Sequence, residues 1–423
     1  MPWNHFELQP PNMGSTNGGI AAVSREPNKM EVWWIGANGS IPAAYWNEGG
    51  WGFYELTPAG SASTSGGIAA VSRQSDKMEL WWTGANGSIQ AAFWDNGWGH
   101  YQLSPAGMAS LTGGIAAVSR KSDKMELWWI GANGSIQSAY WSSDKGWGSY
   151  EFAPAGSAAL TSQITAVSRE SEKMEIWWIG ANGSVQAAYW NSDGWGRYEL
   201  APAGSASLEG GITSVSRDSG KLNVWWIGPN GSVQSAWWQD GGQWSRFELA
   251  PAGSASVTGG IKAVSRKSDT IEVWWIGPNG SIHDAYWYGS WNRFELVPPG
   301  FTSLNNGITA VARIPASMEV WWIGPNGSVK DAFFYPDAKV IDYYATQYSA
   351  PIVSHGLAAL GGDMTVYIHQ DGNVDWTGHA HNSGMDKYDY SPRVLDIRAA
   401  SHLALIEKTP CRAGFFYEPR HFI

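Results

Sequence analysis

Large apolar residues alternate with charged or small ones in the stretch MEVWWIGANGSI, which begins at Met30 and recurs six more times. A repeat at a nearly fixed spacing of this length is typical of stacked supersecondary units. The alternation, followed by Ala-Asn-Gly or Pro-Asn-Gly, predicts a strand, a tight turn and a second strand, because Asn-Gly supplies the positive φ angles of a hairpin turn. The first tryptophan of the copies falls, in steps of 48, 47, 49, 48, 49 and 47 residues, at Trp33, Trp81, Trp128, Trp177, Trp225, Trp274 and Trp321.

Each period contains four predicted strands. In the first full copy they read GGIAAVSR, MEVWWIG, SIPAAYW and WGFYEL, at residues 18–25, 30–36, 40–46 and 51–56. Four short antiparallel strands per repeat predict one blade of a β-propeller, with the small-residue strand nearest the axis. Period-2 patterning and an Asn-Gly turn in every copy exclude a helical solenoid. We therefore expect an all-β fold made of one closed propeller.

The beginning of the chain copies an outer strand. Residues 3–8 read WNHFEL, like WNRFEL at residues 291–296, yet no blade precedes them. We expect this strand to complete the last blade, which closes the ring and removes an open sheet edge.

The repeat continues in weaker form beyond residue 335. Residues 356–360 follow the equivalent residues 307–311 by 49 positions, and Asp371 and Gly372 replace the Asn-Gly turn. We therefore divide the chain into seven strong repeats over residues 1–335 and divergent repeats over residues 336–423. The preferred interpretation is one ring of eight or nine blades. The alternative is a seven-bladed ring with the tail packed on one face.

Charge and composition exclude several classes of function. A net charge of −10 offers no basic face for nucleic acid. The single cysteine, Cys411, cannot form an intramolecular disulfide, and no apolar run is long enough to cross a membrane. No signal peptide is visible, so we expect a cytoplasmic protein or one released by a non-classical route. The composition is unusual in its tryptophan content, with 29 tryptophans in 423 residues.

Catalytic motifs are missing from the sequence. It contains no Gly-rich phosphate loop, no G-x-S-x-G and no H-E-x-x-H. A metal site needs three or four convergent ligands, which the spacing of the tail histidines does not supply. We expect turn and surface histidines, with no metal, cofactor or catalytic residue. These histidines are His355, His369, His379, His381 and His402.

An arginine and a glutamate recur at fixed places in the repeat. The arginine ends the first strand and the glutamate opens the second, so they face each other across a short hairpin. One interpretation is a cross-strand ion pair at the blade rim, and the other is a donor and acceptor pair for sugar hydroxyls. The arginines are Arg25, Arg73, Arg120, Arg169, Arg217, Arg266 and Arg313. The glutamates are Glu31, Glu79, Glu126, Glu175, Glu272 and Glu319, with Asn223 in the fifth copy.

Aromatic residues supply the remaining candidates. A core can be built from Leu and Val, so this many tryptophans suggests that some rings face a ligand, although most pack between blades. From the second strand the candidates are Trp33, Trp81, Trp128, Trp177, Trp225 and Trp274. From the end of the third strand they are Trp46, Trp94, Trp141, Trp190, Trp238 and Trp287, with Phe334 in the seventh copy. A second wall comes from the preceding aromatic, Tyr45, Phe93, Tyr140, Tyr189, Trp237, Tyr286 and Phe333.

The repeat unit S-R-x-x-x-K-M-E-[VLI]-W-W-I-G-[AP]-N-G-S, with W-x-x-[FY]-E-L, resembles the β-propeller lectins related to bacterial Photorhabdus fucose-binding lectins and fungal fucose-specific lectins. The resemblance covers residues 3–335 well and the tail poorly. It implies shallow sugar sites between blades that recognise fucose or O-methylated sugars. We expect a multivalent lectin that binds glycans or glycoconjugates without catalysis. The alternative is an enzyme with its pocket at the central funnel or in the tail.

Overall fold

Strands and turns make up the regular structure in the computed structural model, which describes residues 3–47, 50–305, 307–315, 317–334, 344–351, 360–369 and 374–382. The chain divides into two compact units, Met1–Asp337 and Ala338–Ile423. Within the described ranges there is no apolar helix of the length that a bilayer crossing demands.

In the seven strong repeats the predicted strands form, and in the first copy their bounds differ by one or two residues from those read off the pattern. The strands are β1 (Trp3–Gln9), β2 (Ile20–Glu26), β3 (Lys29–Trp34), β4 (Ile41–Asn47), β5 (Gly50–Thr57), β6 (Ile68–Gln74), β7 (Lys77–Thr83), β8 (Ile89–Asp95), β9 (Trp98–Ser104), β10 (Ile115–Lys121), β11 (Lys124–Ile130), β12 (Ile136–Ser142), β13 (Gly146–Ala153), β14 (Ile164–Glu170), β15 (Lys173–Ile179), β16 (Val185–Asn191), β17 (Gly194–Ala201), β18 (Ile212–Asp218), β19 (Lys221–Ile227), β20 (Val233–Gln239), β21 (Ser245–Ala250), β22 (Ile261–Lys267), β23 (Thr270–Ile276), β24 (Ile282–Trp287), β25 (Trp291–Val297), β26 (Ile308–Ile314), β27 (Ser317–Ile323), β28 (Val329–Phe334), β29 (Tyr344–Pro351), β30 (Leu360–His369) and β31 (Val374–Asn382).

The first unit is a β-propeller of seven four-stranded antiparallel blades. Blades one to six each use four consecutive strands, from β2–β5 in blade one to β22–β25 in blade six. Blade seven combines β26, β27 and β28 with β1, which pairs antiparallel with β28 so that Trp3 lies opposite Phe334. The expectation that the N-terminal strand completes the last blade is therefore confirmed.

Blades seven and one adjoin each other directly. Their first strands, β26 and β2, are in contact, as the first strands of the other neighbouring blades are. Side chains add to the closure, because Ser303 Oγ donates to Thr16 O at 2.7 Å and Arg313 Nη1 donates to Pro27 O at 2.8 Å. The described ring thus closes with seven blades.

The turn between the second and third strands differs in detail from the prediction. Gly39 has a φ of +76°, whereas Asn38 does not adopt a positive φ. The Asn38 side chain accepts a hydrogen bond from Ser40 N at 3.0 Å, and Gly39 N donates to Gly36 O at 2.9 Å. This is a three-residue loop in which a turn of ordinary handedness is followed by a left-handed glycine. In this turn the glycine, and not the asparagine, therefore adopts the positive φ.

The hydrophobic core lies between blades rather than within them. Side chains alternate along a strand, so Trp33 faces blade two while Trp34 faces blade seven. Ile41 of blade one and Leu80 of blade two share one of these clusters, and both are fully buried. Burying a large aliphatic side chain stabilises a fold by about 1.5–3 kcal/mol. Each blade is therefore held mainly by its two neighbours.

The second unit contains a three-stranded antiparallel sheet, β29–β30–β31. His379 and His381 lie on β31, where their backbones pair with Asp363 and Gly361 of β30. His355, His402 and Cys411 fall outside the described residues. Among the described residues the ring has seven blades, whereas eight or nine were expected from the sequence. The divergent repeats expected over residues 336–423 stay a prediction.

Candidate functional site

The recurring arginine and glutamate form an ion pair within one hairpin. Arg73 Nε lies 2.6 Å from Glu79 Oε1, and the carboxylate is almost completely buried. The equivalent pairs are Arg25–Glu31 at 3.6 Å, Arg120–Glu126 at 2.6 Å, Arg169–Glu175 at 2.7 Å, Arg266–Glu272 at 3.0 Å and Arg313–Glu319 at 3.5 Å. The predicted cross-strand ion pair is thus present in six blades.

The arginine also reaches across to the next blade. Arg73 Nη1 donates to Ser122 O of blade three at 2.9 Å, and its Cζ lies 4.8 Å from the Trp141 ring centroid. The guanidinium therefore lies in the cleft between two blades. Each cleft is named by the two blades that form it, and this one is cleft 2/3. The same contact joins Arg120 to Trp190, Arg169 to Trp238, Arg266 to Phe334 and Arg313 to Trp46.

Each cleft is built from two repeats. Arg73 and Glu79 of blade two meet Trp141 of blade three, whereas Trp94 of blade two faces blade one. The candidate residues of a single repeat therefore do not converge on one site. The structure brings the arginine and glutamate of one copy together with the third-strand tryptophan of the next.

Burial perturbs the glutamates at these clefts. Loss of hydration raises the pKa of Glu31 to about 7, against the opposing charge of Arg25 and a hydrogen bond from Tyr54. Burial likewise raises the pKa of Glu272 to about 7 and that of Glu319 to about 8. A carboxyl group with a pKa near 7 is unusual. Such a shift occurs at functional sites and also in structural ion pairs.

The first tryptophan of each second strand is a packing residue, which corrects its assignment as a ligand candidate. Trp33 has no exposed surface, and its ring meets Trp98 edge to face with centroids 6.1 Å apart. The strand places this ring deep between blades, where a ligand has no access. The other members of this set are equally buried, at Trp81, Trp128, Trp177, Trp225 and Trp274.

The tryptophans at the end of the third strand remain partly exposed. Trp94 packs edge to face against Trp98, with centroids 5.7 Å apart, and Trp287 packs in the same way against Trp291. The half-buried members of the set are Trp46, Trp94, Trp141, Trp190, Trp238 and Trp287.

The second ring of each pair was missed by the sequence reasoning. It is the tryptophan at or just before the fourth strand, and it lies in the same cleft as the third-strand ring. Every repeat carries it, including the isolated N-terminal strand, and that recurrence was a signal for it. These half-buried residues are Trp3, Trp51, Trp98, Trp147, Trp195, Trp244 and Trp291.

The second predicted wall is exposed. Tyr45, Tyr140, Tyr189 and Trp237 expose 37–46 % of their surface, and Tyr286 is half-buried. The Tyr45 ring covers Gly52, where any Cβ would overlap it. These rings share a blade face with the arginine–glutamate pair of their own repeat, because Tyr45 lies opposite Glu31 in the register. They can therefore contact a ligand that extends outward from the cleft.

Cleft 5/6 departs from the pattern. Asn223 replaces the glutamate, so Arg217 lacks the carboxylate with which the arginines of the six other blades form ion pairs. Burial lowers the pKa of Arg217, which only the charge of Asp218 opposes. Within the described ranges there is also no group of three His, Cys, Asp or Glu side chains that could hold a metal ion.

Comparison with known proteins points to carbohydrate binding. Residues 63–300 match the model of the fungal fucose-specific lectin family, and no curated protein matches the chain. The BP39L lectin of Burkholderia pseudomallei is similar in structure, with 18 % identity and a TM-score of 0.70 over 76 % of this chain and 97 % of that one. AofleA from Arthrobotrys oligospora has 16 % identity and a TM-score of 0.55 over 70 % and 90 % of the two chains. The Aleuria aurantia lectin, described as a six-bladed β-propeller with a novel fucose recognition mode, has 18 % identity and a TM-score of 0.51 over 68 % and 98 %.

Proposed function

Because the chain belongs to the fungal fucose-specific lectin family, and is therefore a carbohydrate-binding protein and not an enzyme, we propose that it binds fucose or a related O-methylated sugar in the clefts between its blades. The ligands are glycans or glycoconjugates that display such sugars repeatedly. The finding that supports this proposal best is the arginine that bridges two blades beside a buried glutamate and an indole face.

The chemistry of this arrangement suits a neutral sugar. The guanidinium donates in a fixed fork and the ionised glutamate accepts, so together they can bind two neighbouring hydroxyl groups. The indole offers a flat apolar face, which suits the C–H face of a pyranose or a methyl substituent. A 6-deoxy or O-methylated sugar combines these features. A solved structure of SapL1, which is similar in fold, is a complex with α-methyl fucoside, which is a sugar of this kind.

The clefts should differ in strength. Cleft 5/6 has Asn223 in place of the glutamate, and cleft 6/7 has Phe334 in place of the third-strand tryptophan. The amide of Asn223 carries no charge, so its hydrogen bonds to a sugar are weaker than those of a carboxylate. Phe334 is 4 % exposed, so it offers little surface to a ligand. We expect these two clefts to bind sugar most weakly.

A glycan-array screen of the full chain tests the sugar class, followed by calorimetric titration with methyl α-L-fucoside. We expect a stoichiometry above one and below seven, and the variant Arg73→Ala should lower it by about one site. Arg246→Ala removes an exposed arginine of β21 and is the matched control. The absence of binding to every glycan on the array would refute the proposal. A stoichiometry that Arg73→Ala leaves unchanged would refute the location of the sites.

A further inference from the structure

The loops of the ring form two sets, one at each end of the blades. The connectors that follow each fourth strand meet the turns between the second and third strands, as where Gly60 N donates to Asn38 O at 3.0 Å. The hairpins between the first and second strands meet the loops between the third and fourth, as where Asp240 N donates to Gly220 O at 2.8 Å. We call the second set the arginine end, because the cleft arginines lie there, and the first set the connector face. The connector face consists of residues 10–19, 35–40, 58–67, 84–88, 105–114, 131–135, 154–163, 180–184, 202–211, 228–232, 251–260, 277–281, 298–305, 307 and 324–328.

Charge is almost absent from the connector face. Its loops are made mostly of Gly, Pro, Ala, Ser, Thr and Asn, and the sequence places a single charged residue in them, Glu209. The hairpins of the arginine end instead read R-E-P-N-K, R-Q-S-D-K, R-K-S-D-K and R-E-S-E-K in the first four blades. Charges next to the connector face lie on the outermost strands, as at Glu199 and Glu248, and on the first strand of blade six, at Lys262. The two ends of the ring therefore differ sharply in charge.

Apolar side chains protrude from five consecutive connectors. They occupy the same position in each connector and expose 41–47 % of their surface, at Leu111, Leu160, Leu208, Val257 and Leu304. Three residues earlier in their connectors, Met13, Met108 and Phe301 expose a further 37–39 %. Single exposed apolar residues are ordinary, but a continuous arc of them is typical of an interaction surface. An apolar centre with charges at the rim is also the usual anatomy of a protein interface.

The connectors are fixed to one another by a closed circle of hydrogen bonds. A serine or threonine of each connector donates to a carbonyl of the next, as Ser110 Oγ does to Leu160 O at 2.7 Å. The protruding residues supply five of the seven accepting carbonyls, so their backbones are held in place before any partner arrives, which lowers the entropy lost on binding. The other links, at 2.6–3.1 Å, are Ser15–Thr64, Ser63–Leu111, Thr161–Leu208, Ser207–Val257, Ser256–Leu304 and Ser303–Thr16.

We propose that the connector face binds the connector face of a second copy of this chain, which gives a two-fold symmetric dimer. Such a dimer buries the same patch on both copies, so a surface that is apolar and nearly uncharged throughout is complementary to itself. About 20–30 residues from each partner form a standard interface, and the fourteen loops of this face supply more than that.

The distribution of charge favours a second copy over other occupants. Each chain carries a net charge of −10, so two copies repel each other unless their charged ends are kept apart. A strand of seven residues spans about 20 Å, which is more than two Debye lengths at an ionic strength of about 0.15 M. Contact through the connector faces therefore holds both arginine ends beyond the range of strong repulsion. A charged partner would find little opposite charge on this face.

The course of the chain also favours a second copy. β28 ends at Phe334, whose ring lies 5.1 Å from Arg266 Cζ at the arginine end. The residues that follow thus leave the ring at the end opposite to the connector face. A segment of the same copy would have to pass along the whole blade before it could cover this face.

The dimer extends what the protein can do with glycans, a consequence that rests on the function proposed above. The arginine, the glutamate and the third-strand tryptophan of a cleft all lie at the arginine end, as Arg73, Glu79 and Trp141 do in cleft 2/3. One ring therefore presents its clefts to one surface. Two rings joined by their connector faces present clefts in opposite directions and can cross-link two glycan-coated surfaces.

Sedimentation velocity of the full chain between about 1 and 100 µM tests the dimer. We expect a mass of twice 46.0 kDa at the higher concentrations. The variant carrying Leu160→Glu, Leu208→Glu and Leu304→Glu places like charges in the interface, which should raise the dissociation constant by about 100-fold or more. Serine at the same three positions removes apolar contacts without adding charge, so it keeps the test valid if the glutamates impair folding, and it should weaken the dimer by about tenfold. A parent chain of single mass at 100 µM would overturn the inference.

The matched control adds the same charge at the arginine end. It carries Ser143→Glu, Ser192→Glu and Tyr288→Glu, all at exposed positions in loops between third and fourth strands. We expect this control to dimerise like the parent. Equal masses for the control and the Leu→Glu variant, whether single or double, would show that the connector face is not the interface.

Sugar binding gives a separate readout. The Leu→Glu variant should bind as much methyl α-L-fucoside per chain as the parent, but it should no longer agglutinate fucosylated cells. If the masses change as expected and no chain binds the fucoside, the dimer stands and the proposed function fails. If the fucoside binds and the connector-face variants keep the mass of the parent, the proposed function stands and the dimer fails.

Discussion

The guanidinium of Arg73 in blade two lies over the indole of Trp141 in blade three, with Cζ 4.8 Å from the ring centroid. The same arginine is held by Glu79 of its own blade and by the Ser122 carbonyl of the next. A flexible side chain is thus fixed by contacts on three sides before any ligand arrives. Preorganisation of this kind lowers the entropy that a ligand must overcome on binding.

Replacement of Arg73 by lysine should impair cleft 2/3 although the charge is kept. An ammonium group cannot stack on Trp141 with a planar face or donate to Glu79 and Ser122 from a rigid fork. We expect fucoside binding at this cleft to weaken by about tenfold, which corresponds to about 1.4 kcal/mol. Calorimetry checks this as the loss of about one site, with Arg246→Lys as the control. Full stoichiometry with Arg73→Lys would contradict the assigned role.

The variant Asn223→Glu should restore cleft 5/6. A glutamate there would pair with Arg217, as Glu79 pairs with Arg73 across the equivalent hairpin of blade two. The ion pair would recreate the arrangement of the six other hairpins and add about one site to the titration. Asn223→Asp is the control, because its shorter side chain should not reach the guanidinium. If the variant Asn223→Glu binds no more sugar per chain than the parent, cleft 5/6 lacks some other determinant.

Stability should fall as the pH rises from about 4.5 to about 7. The folded chain binds a proton at Glu31 more tightly than the unfolded chain does, because burial raises the pKa from 4.5 to about 7. Protonated Glu31 therefore stabilises the folded chain. This contribution to the free energy of unfolding, about 3 kcal/mol, is lost as the pH rises through the pKa that Glu31 has in the folded chain. Glu31→Gln cannot titrate and should flatten the dependence. Melting curves between pH 5 and pH 8.5 check this, and a melting temperature that rises with pH would contradict it.

Removal of residues 1–10 should open the ring. β1 is the outer strand of blade seven, and Leu8 packs in the cluster between blades seven and one. The deletion exposes the edge of β28 and apolar surface, so we expect a loss of several kcal/mol and aggregation. Urea unfolding gives the magnitude. Glu7→Gln, at an exposed position of the same strand, should cost less than about 1 kcal/mol.

The ring should bind surfaces far more tightly than free sugar. One monosaccharide in a shallow cleft buries few atoms, so we expect a Kd of about 0.1–1 mM for each cleft. Several clefts on one rigid ring can engage a glycan-coated surface together, which raises the apparent affinity by about 10²–10⁴. Surface plasmon resonance at high and low glycan density checks this, together with agglutination of fucosylated cells. Equal affinity at both densities would show that the clefts act singly.

Much of the fold could be predicted because the blade is a local unit. Alternation, the glycine after each asparagine and the 47–49 residue period follow from the chemistry of neighbouring residues along the chain. The copied strand at residues 3–8 even revealed how the ring closes. The Arg73–Glu79 pair was equally accessible, since six residues and one hairpin separate the partners.

The composition of the clefts was decided by the tertiary structure. Alternation shows that Trp33 and Trp34 point to opposite faces of a strand, but both faces of a blade are covered, so the pattern cannot tell a buried ring from a cleft ring. Arg73 and Trp141 are 68 positions apart and meet only because blade three packs on blade two. The same packing hides Trp33 entirely and leaves Trp141 half-exposed. The sequence determined the blade, and the contact between blades determined the site, because burial depends on what lies opposite a side chain and not on its place in a strand.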